Sequence, residues 1–259
     1  MVLSAGCIGS SSPGVPGGQS RIASYESPSM TPINIPLEDR ENWTVYVING
    51  ESVREYSIYE LAKMPMEKML DKDLSVGKTL HWKGVLVQRL GEGNIVNFIS
   101  SDRYMVSIPY GTKMILALYV DEKPIEDTPV RLIVDLSYGC RCNWIKNIRI
   151  VEFVNRSDCF SVYGEVINVL YFSPRTLNIF RGVDAVVKNE SNSASLKEIL
   201  DQAVLKETAK KIVFVTAEGR KAYLLNDVLS KNPTIVFKEG KFKIPGLGID
   251  DLKGIKVER

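Results

Sequence analysis

The sequence predicts an α+β fold with mixed β-sheets and short helices, arranged as two related halves. Three observations predict it. Val- and Ile-rich runs of strand length recur along the chain, bounded by Gly, Asn, Asp and Pro. The helical patterns between them are brief. Landmarks of the first half return in the same order in the second. The 259 residues suffice for one large domain or two small ones. The expected division is a tether or arm over 1–41, a first unit over 42–155, and a degenerate second copy or α+β companion over 156–259.

Trp43–Ile48 reads as the first strand, closed by a turn at Asn49-Gly50. Ser57, with Glu60 three residues on, has the spacing of a capping box and opens a short helix through Leu61 and Met64. Pro65 ends that helix. Trp82-Lys83-Gly84-Val85 is expected to lead into a second short helix with Leu86 and Leu90 on one side. Ile95–Ile99 and Tyr104–Ile108 alternate as a hairpin around Ser101-Asp102-Arg103. Met114–Val120, Arg131–Leu136 and Ile148–Phe153 are further strands.

The second half repeats parts of this order. Phe160–Glu165 matches the first strand with its Gly-Glu turn, and Ser173 and Leu177 are spaced like Ser57 and Leu61. Leu196–Leu200 matches the helix at Leu86–Leu90. Lys211–Val215, followed by Ala217-Glu218-Gly219, matches Asn94–Phe98 and its hairpin loop. An internal duplication accounts for four landmarks in one order. No counterpart of Arg131, Tyr138 or Cys140–Trp144 appears in the second half, so chemistry is expected in the first.

Composition narrows the function. Hydrophobic residues make up 44% and charged residues 25%, as in an ordinary globular protein. The net charge of +2 is spread without a long basic run, which argues against nucleic acid as a partner. No stretch of about 18 apolar residues occurs. With a single histidine, His81, and no Cys-x-x-Cys pair among the four cysteines, a His-rich metal site, a Ser-His-Asp hydrolase and a zinc ribbon are all disfavoured. Leu3-Ser4-Ala5-Gly6-Cys7 resembles a lipobox, and the Ser-, Gly- and Pro-rich tract Ile8–Gly18 after it suits a flexible tether. Together they suggest lipid attachment at Cys7 and an extracytoplasmic, membrane-anchored protein.

The densest region is Asn94–Phe153. Three of its pieces and two upstream fall in a familiar order: Asn49-Gly50 with Tyr56-Ser57, Trp82-Lys83-Gly84-Val85, Ser100–Tyr104, Pro129-Val130-Arg131-Leu132, and Tyr138-Gly139 through Trp144 to Ile148–Glu152. Over about Trp43–Phe153 the chain resembles the molybdopterin-binding domain of the sulfite oxidase family. That resemblance implies the sulfite-oxidase-type fold, molybdopterin as cofactor, and oxygen-atom transfer to a small substrate. It places cofactor contacts at His81, Arg103, Tyr104, Arg131, Tyr138, Cys140, Arg141, Asn143 and Lys146. The chain departs from the family at three points. The interval Pro65–His81, where the family carries its molybdenum-binding Cys, holds no Cys. Asn143 stands where a phosphate-holding Lys is usual, and Arg103 where the hairpin has Gly. A soft thiolate is not reproduced by Ser75 or Asp71.

The cysteines of this region stay open. Cys140 and Cys142 are candidate replacement metal ligands, one of them is a candidate disulfide partner of Cys159, or they are free buried thiols. Arg131, Arg141 and Lys146 suit an anionic ligand or are solvated surface charges. Two functions are therefore expected: a molybdopterin-dependent oxidoreductase, or a non-catalytic module on the same fold that binds a ligand or protein partner at the cell surface.

Overall fold

The computed structural model describes residues 40, 42–73, 78–135, 137 and 143–259, with 72 and 73 as backbone only. Cys7, Ser75, Tyr138, Cys140, Arg141 and Cys142 lie outside the described residues. The first half runs β1 (Thr44–Asn49), β2 (Ser52–Ser57), α1 (Ile58–Lys63), β3 (Met66–Asp73), β4 (Lys78–Leu86), β5 (Ile95–Ser100), β6 (Met105–Pro109), β7 (Met114–Val120), β8 (Lys123–Pro124), β9 (Arg131–Val134) and β10 (Ile148–Val154). The second runs β11 (Phe160–Gly164), β12 (Leu170–Phe172), α2 (Val183–Lys188), β13 (Ser193–Ser195), α3 (Leu196–Ala203), β14 (Lys211–Thr216), β15 (Gly219–Leu224), α4 (Leu225–Lys231), β16 (Thr234–Lys238), β17 (Lys241–Lys243) and β18 (Leu252–Glu258). The architecture is mixed α+β, as expected.

Local sequence explains several boundaries. Ser57 and Glu60 form a reciprocal capping box at the start of α1, which satisfies backbone N–H groups that a helix start leaves without partners. Gly50 turns β1 into β2 at φ +59°, a conformation that favours glycine. One expectation fails. The second short helix expected after Trp82–Val85 is reduced to a single 3-10 turn at Val87–Arg89, and Trp82–Leu86 is strand, the end of β4. The reason is Gly84: an added Cβ would lie 2.0 Å from the Leu116 carbonyl oxygen, so β4 and β7 approach too closely for any side chain there.

The two halves share a topology. The first sheet has the order β2-β1-β10-β5-β6 and another has β12-β11-β18-β14-β15. In both, the central pair is parallel (β1 with β10, β11 with β18) and every other pairing is antiparallel. Antiparallel β4–β7–β9 has its counterpart in β13–β16–β17. The facing of side chains sets the correspondence. Val45 and Val47 point into the first half's own core, as Phe160 and Val162 point into the second's. Aligned this way, Gly164 matches Asn49, so the two Gly-Glu turns are offset by one residue. Gly164 has its own cause: at φ +101° an added Cβ would lie 2.1 Å from the Val257 carbonyl oxygen.

Val45, Val47, Phe98 and Val151 pack against Val85, Leu116 and Leu132 in the first core. The opposite face of that first sheet carries Ile48, Ile99, Met105 and Ile150, and these join the core of the second half. Burying such side chains contributes about 1.5–3 kcal/mol each. Within this joint lies a polar cluster. Glu152 is fully buried on β10; its Oε2 accepts from Asn97 Nδ2 at 2.9 Å and its Oε1 from Ser173 Oγ at 2.6 Å. Ser107 Oγ donates to Asn97 Oδ1 at 2.7 Å and accepts from the Tyr171 N–H at 3.0 Å. Thr176 N–H donates to Ser173 Oγ at 3.1 Å, the capping geometry seen at Ser57. Burial raises the Glu152 pKa, against the lowering effect of Ser173, Asn97 and Arg175.

Candidate functional site

Sequence and resemblance point to the end of β9. Arg131 and Lys146 form an isolated antiparallel bridge there, so their side chains leave adjacent backbones. Both reach Asp127: Arg131 Nη2 at 3.2 Å, and Lys146 Nζ in a closer ion pair. Burial pushes the Asp127 carboxyl up, but Lys146 and Arg131 together hold it below the ordinary carboxylate value. Burial lowers the Arg131 pKa, partly offset by Asp127. The Arg131 guanidinium lies 5.3 Å from the centre of the Trp82 ring, a cation–π distance. Trp82 meets Trp144 edge-on with centroids 6.0 Å apart, and Trp144 Nε1 donates to the Val134 carbonyl at 3.0 Å. Two donors of this cluster, Trp82 Nε1 and Arg131 Nε, are buried without a hydrogen-bond partner among the described residues. Buried polar groups are rarely left so.

Arg103 and Tyr104 lie elsewhere, on the β5–β6 hairpin where the halves meet. Arg103 takes the left-handed conformation at φ +72°. Its Nη1 donates to the Phe180 carbonyl at 3.0 Å, and its own carbonyl accepts from Gln202 Nε2 at 2.9 Å. Tyr104 Oη accepts from Asn168 Nδ2 at 3.2 Å; burial raises its pKa. Both residues thus tie the first half to the second. His81 is exposed on β4, where its backbone N–H donates to Asp121 Oδ1 at 3.0 Å. Asn143 is half-buried beside Trp144. The structure therefore brings together Arg131 and Lys146, adds Trp82, Trp144 and Asp127, and separates Arg103 and Tyr104 from them.

Cys159 corrects another expectation. It is a free, buried thiol whose Sγ donates weakly to the Arg156 carbonyl at 3.6 Å, so no bond to Cys140 or Cys142 is made. Burial, with the nearby Glu152 and Asp158 charges, pushes its pKa up to about 12, which leaves it inert as a nucleophile. A cleft of about 360 Å³ is lined in part by Asn49, Ser52, Arg54, Gln88, Arg89 and Glu92, and by none of the described site residues predicted above.

The sequence reading missed Asp127, which neutralises the Arg131–Lys146 pair. It also missed Arg175, which is buried and donates to Glu51 at 3.0 Å and to the Val187 carbonyl at 3.0 Å. A cation bordering a Ser-x-x-Thr turn gives no warning of burial. Glu152, set in the apolar run Ile148–Val154, was the legible signal for the joint.

The described residues do not fit a resident metal. No three His, Cys, Asp or Glu side chains cluster among them, and the described part of Pro65–His81 offers no thiolate. Among the described residues no helix is long and apolar enough to cross a membrane. No family model matches the sequence, and no curated protein matches it. Among solved structures, the sulfane dehydrogenase SoxCD from Paracoccus pantotrophus is similar over 85% of this chain and 78% of its own, at 10% identity and a TM-score of 0.38. A likeness of that degree carries no argument about function.

Proposed function

We propose that this chain is a non-catalytic binding module built on a duplicated unit of the sulfite-oxidase type, with 42–155 and 156–259 as its two copies. One observation carries the loss of catalysis. Four of the groups that the family resemblance assigns to a cofactor have protein partners here: Arg131 and Lys146 hold Asp127, and Arg103 and Tyr104 hold the second half. The shared strand order and directions support the duplication. A position at the cell surface, with lipid on Cys7, rests on the Leu3–Cys7 and Ile8–Gly18 sequences. A second reading, retention of an anionic ligand such as a pterin phosphate without metal, is favoured by the buried, unpartnered donors of Trp82 and Arg131.

One preparation separates these readings. The full chain, produced in a host replete with molybdenum and tungsten, is subjected to elemental analysis, pterin fluorescence after denaturation, and mass measurement of the Cys7 peptide. Absence of both metal and pterin is the expected result. Pterin without metal selects the second reading, and stoichiometric metal with pterin overturns both. An unmodified Cys7 after export removes the anchor.

A further inference from the structure

We propose that the chain forms a symmetric dimer through the free edge of β15, joining two five-stranded sheets into one of ten. The duplicated topology makes the edge conspicuous. Its counterpart in the first half is β6, where Met105 through Ile108 are buried. Every residue of β15 except the half-buried Tyr223 is exposed, and Leu224 stands 57% exposed.

The backbone of β15 is set for pairing. Its register with β14 runs Thr216 with Gly219 through Lys211 with Leu224 without a shift, and one step beyond, the Leu225 N–H donates to the Lys210 carbonyl at 2.9 Å. Antiparallel hydrogen bonding alternates along a strand. Gly219, Lys221 and Tyr223 therefore bond to β14, while the N–H and C=O groups of Arg220, Ala222 and Leu224 point away from it. An exposed row of this kind is a template for another strand.

Symmetry then selects the occupant. In a two-fold pair within one sheet, opposed residues share a face, so the axis must pass through a residue rather than between two. With the axis on Arg220 or Lys221, like charges oppose at close range, which is unfavourable. On Tyr223 the pairing runs off the strand into α4. With the axis on Ala222, the smallest side chain meets its own copy, Lys221 faces Tyr223 and Arg220 faces Leu224. No like charges are opposed, and the outward groups of Ala222 meet as a hydrogen-bonded pair. Another exposed sheet edge, β2, fails this test: an axis near its centre opposes Arg54 to Arg54 or Glu55 to Glu55. The two cations of β15 thus exclude neighbouring registers while permitting this one. The edge is short, so the dimer should be in exchange with monomer at micromolar concentration.

Sedimentation of the full chain tests the proposal. A concentration-dependent dimer is expected for the parent. Ala222→Pro should be monomeric with an unchanged circular dichroism spectrum, because the N–H it removes is not bonded to β14. Ala222→Cys should cross-link to itself under mild oxidation, since about 5.5 Å between Cα atoms of a hydrogen-bonded pair suits a disulfide. Peptide mapping must place that bond at 222–222. A parent that stays monomeric at high micromolar concentration, a folded Ala222→Pro dimer, or cross-links lacking the 222–222 peptide each overturn it.

Discussion

Glu152→Ala unfolds about 3 kcal/mol more easily than the parent chain in urea at neutral pH, because it strands buried donors and leaves a void. Asn97 Nδ2 keeps only its bond to the Tyr171 carbonyl, and Ser173 Oγ loses its acceptor at the meeting point of the halves. Glu152→Gln keeps the shape and an acceptor, so it costs much less. Its diagnostic is pH. Burial raises the Glu152 pKa in the folded protein above the ordinary 4.5, so the folded state holds this proton more tightly than the unfolded state. The stability contributed by the protonated group is fully present below the ordinary value and is lost as pH rises from there through the folded pKa. Glu152→Gln removes that downward slope. Identical slopes for the Gln variant and the parent, from urea midpoints across this range, would sink the assignment.

Gly84→Ala is the second large effect. The added methyl would sit 2.0 Å from the Leu116 carbonyl oxygen and 2.5 Å from Ala117 Cα. Both are backbone atoms in the middle of a sheet, so relief requires β4 to part from β7. We expect a loss of about 3 kcal/mol or more, read as a lower urea midpoint. Gly50→Ala provides the contrast. Its Cβ would meet open space, and only the φ of +59° opposes it, at a cost of about 1 kcal/mol. If the two substitutions cost the same, the close approach of β4 and β7 is wrong.

These residues also mark what the sequence could disclose. The Ser57–Glu60 cap, the β5–β6 hairpin and the β14–β15 hairpin were legible because each is set by local spacing. The strands β2 and β3 were not: Ser52–Ser57 and Met66–Asp73 are rich in polar and charged residues, and their pairing comes from neighbours distant in sequence. The Trp82–Val85 segment was read as leading into a helix because Leu86 and Leu90 share one side; here Gly84 answers to a backbone on another strand. The shared order of elements was visible in the landmarks, but its register was not. Which face of Phe160–Gly164 turns inward depends on β18, nearly a hundred residues later. Arg131 and Lys146 were singled out, with Arg141, for an anionic ligand, yet the Asp127 that pairs with them lies in a loop without periodicity. Arg103 was visible as a departure from Gly, while its bond to the Phe180 carbonyl lay beyond any local reading.

Cys159 opens β11 at that same joint, with a buried thiol pushed up to about 12 and lying within the electrostatic reach of Glu152. A thiol so placed reacts only when its surroundings come apart. Its alkylation rate, followed on the Cys159 peptide, therefore acts as a clock for separation of the halves. That clock should run faster in Glu152→Ala than in the parent. A chain taken to have no active cysteine chemistry would then carry, in its least reactive thiol, a native gauge of its own breathing.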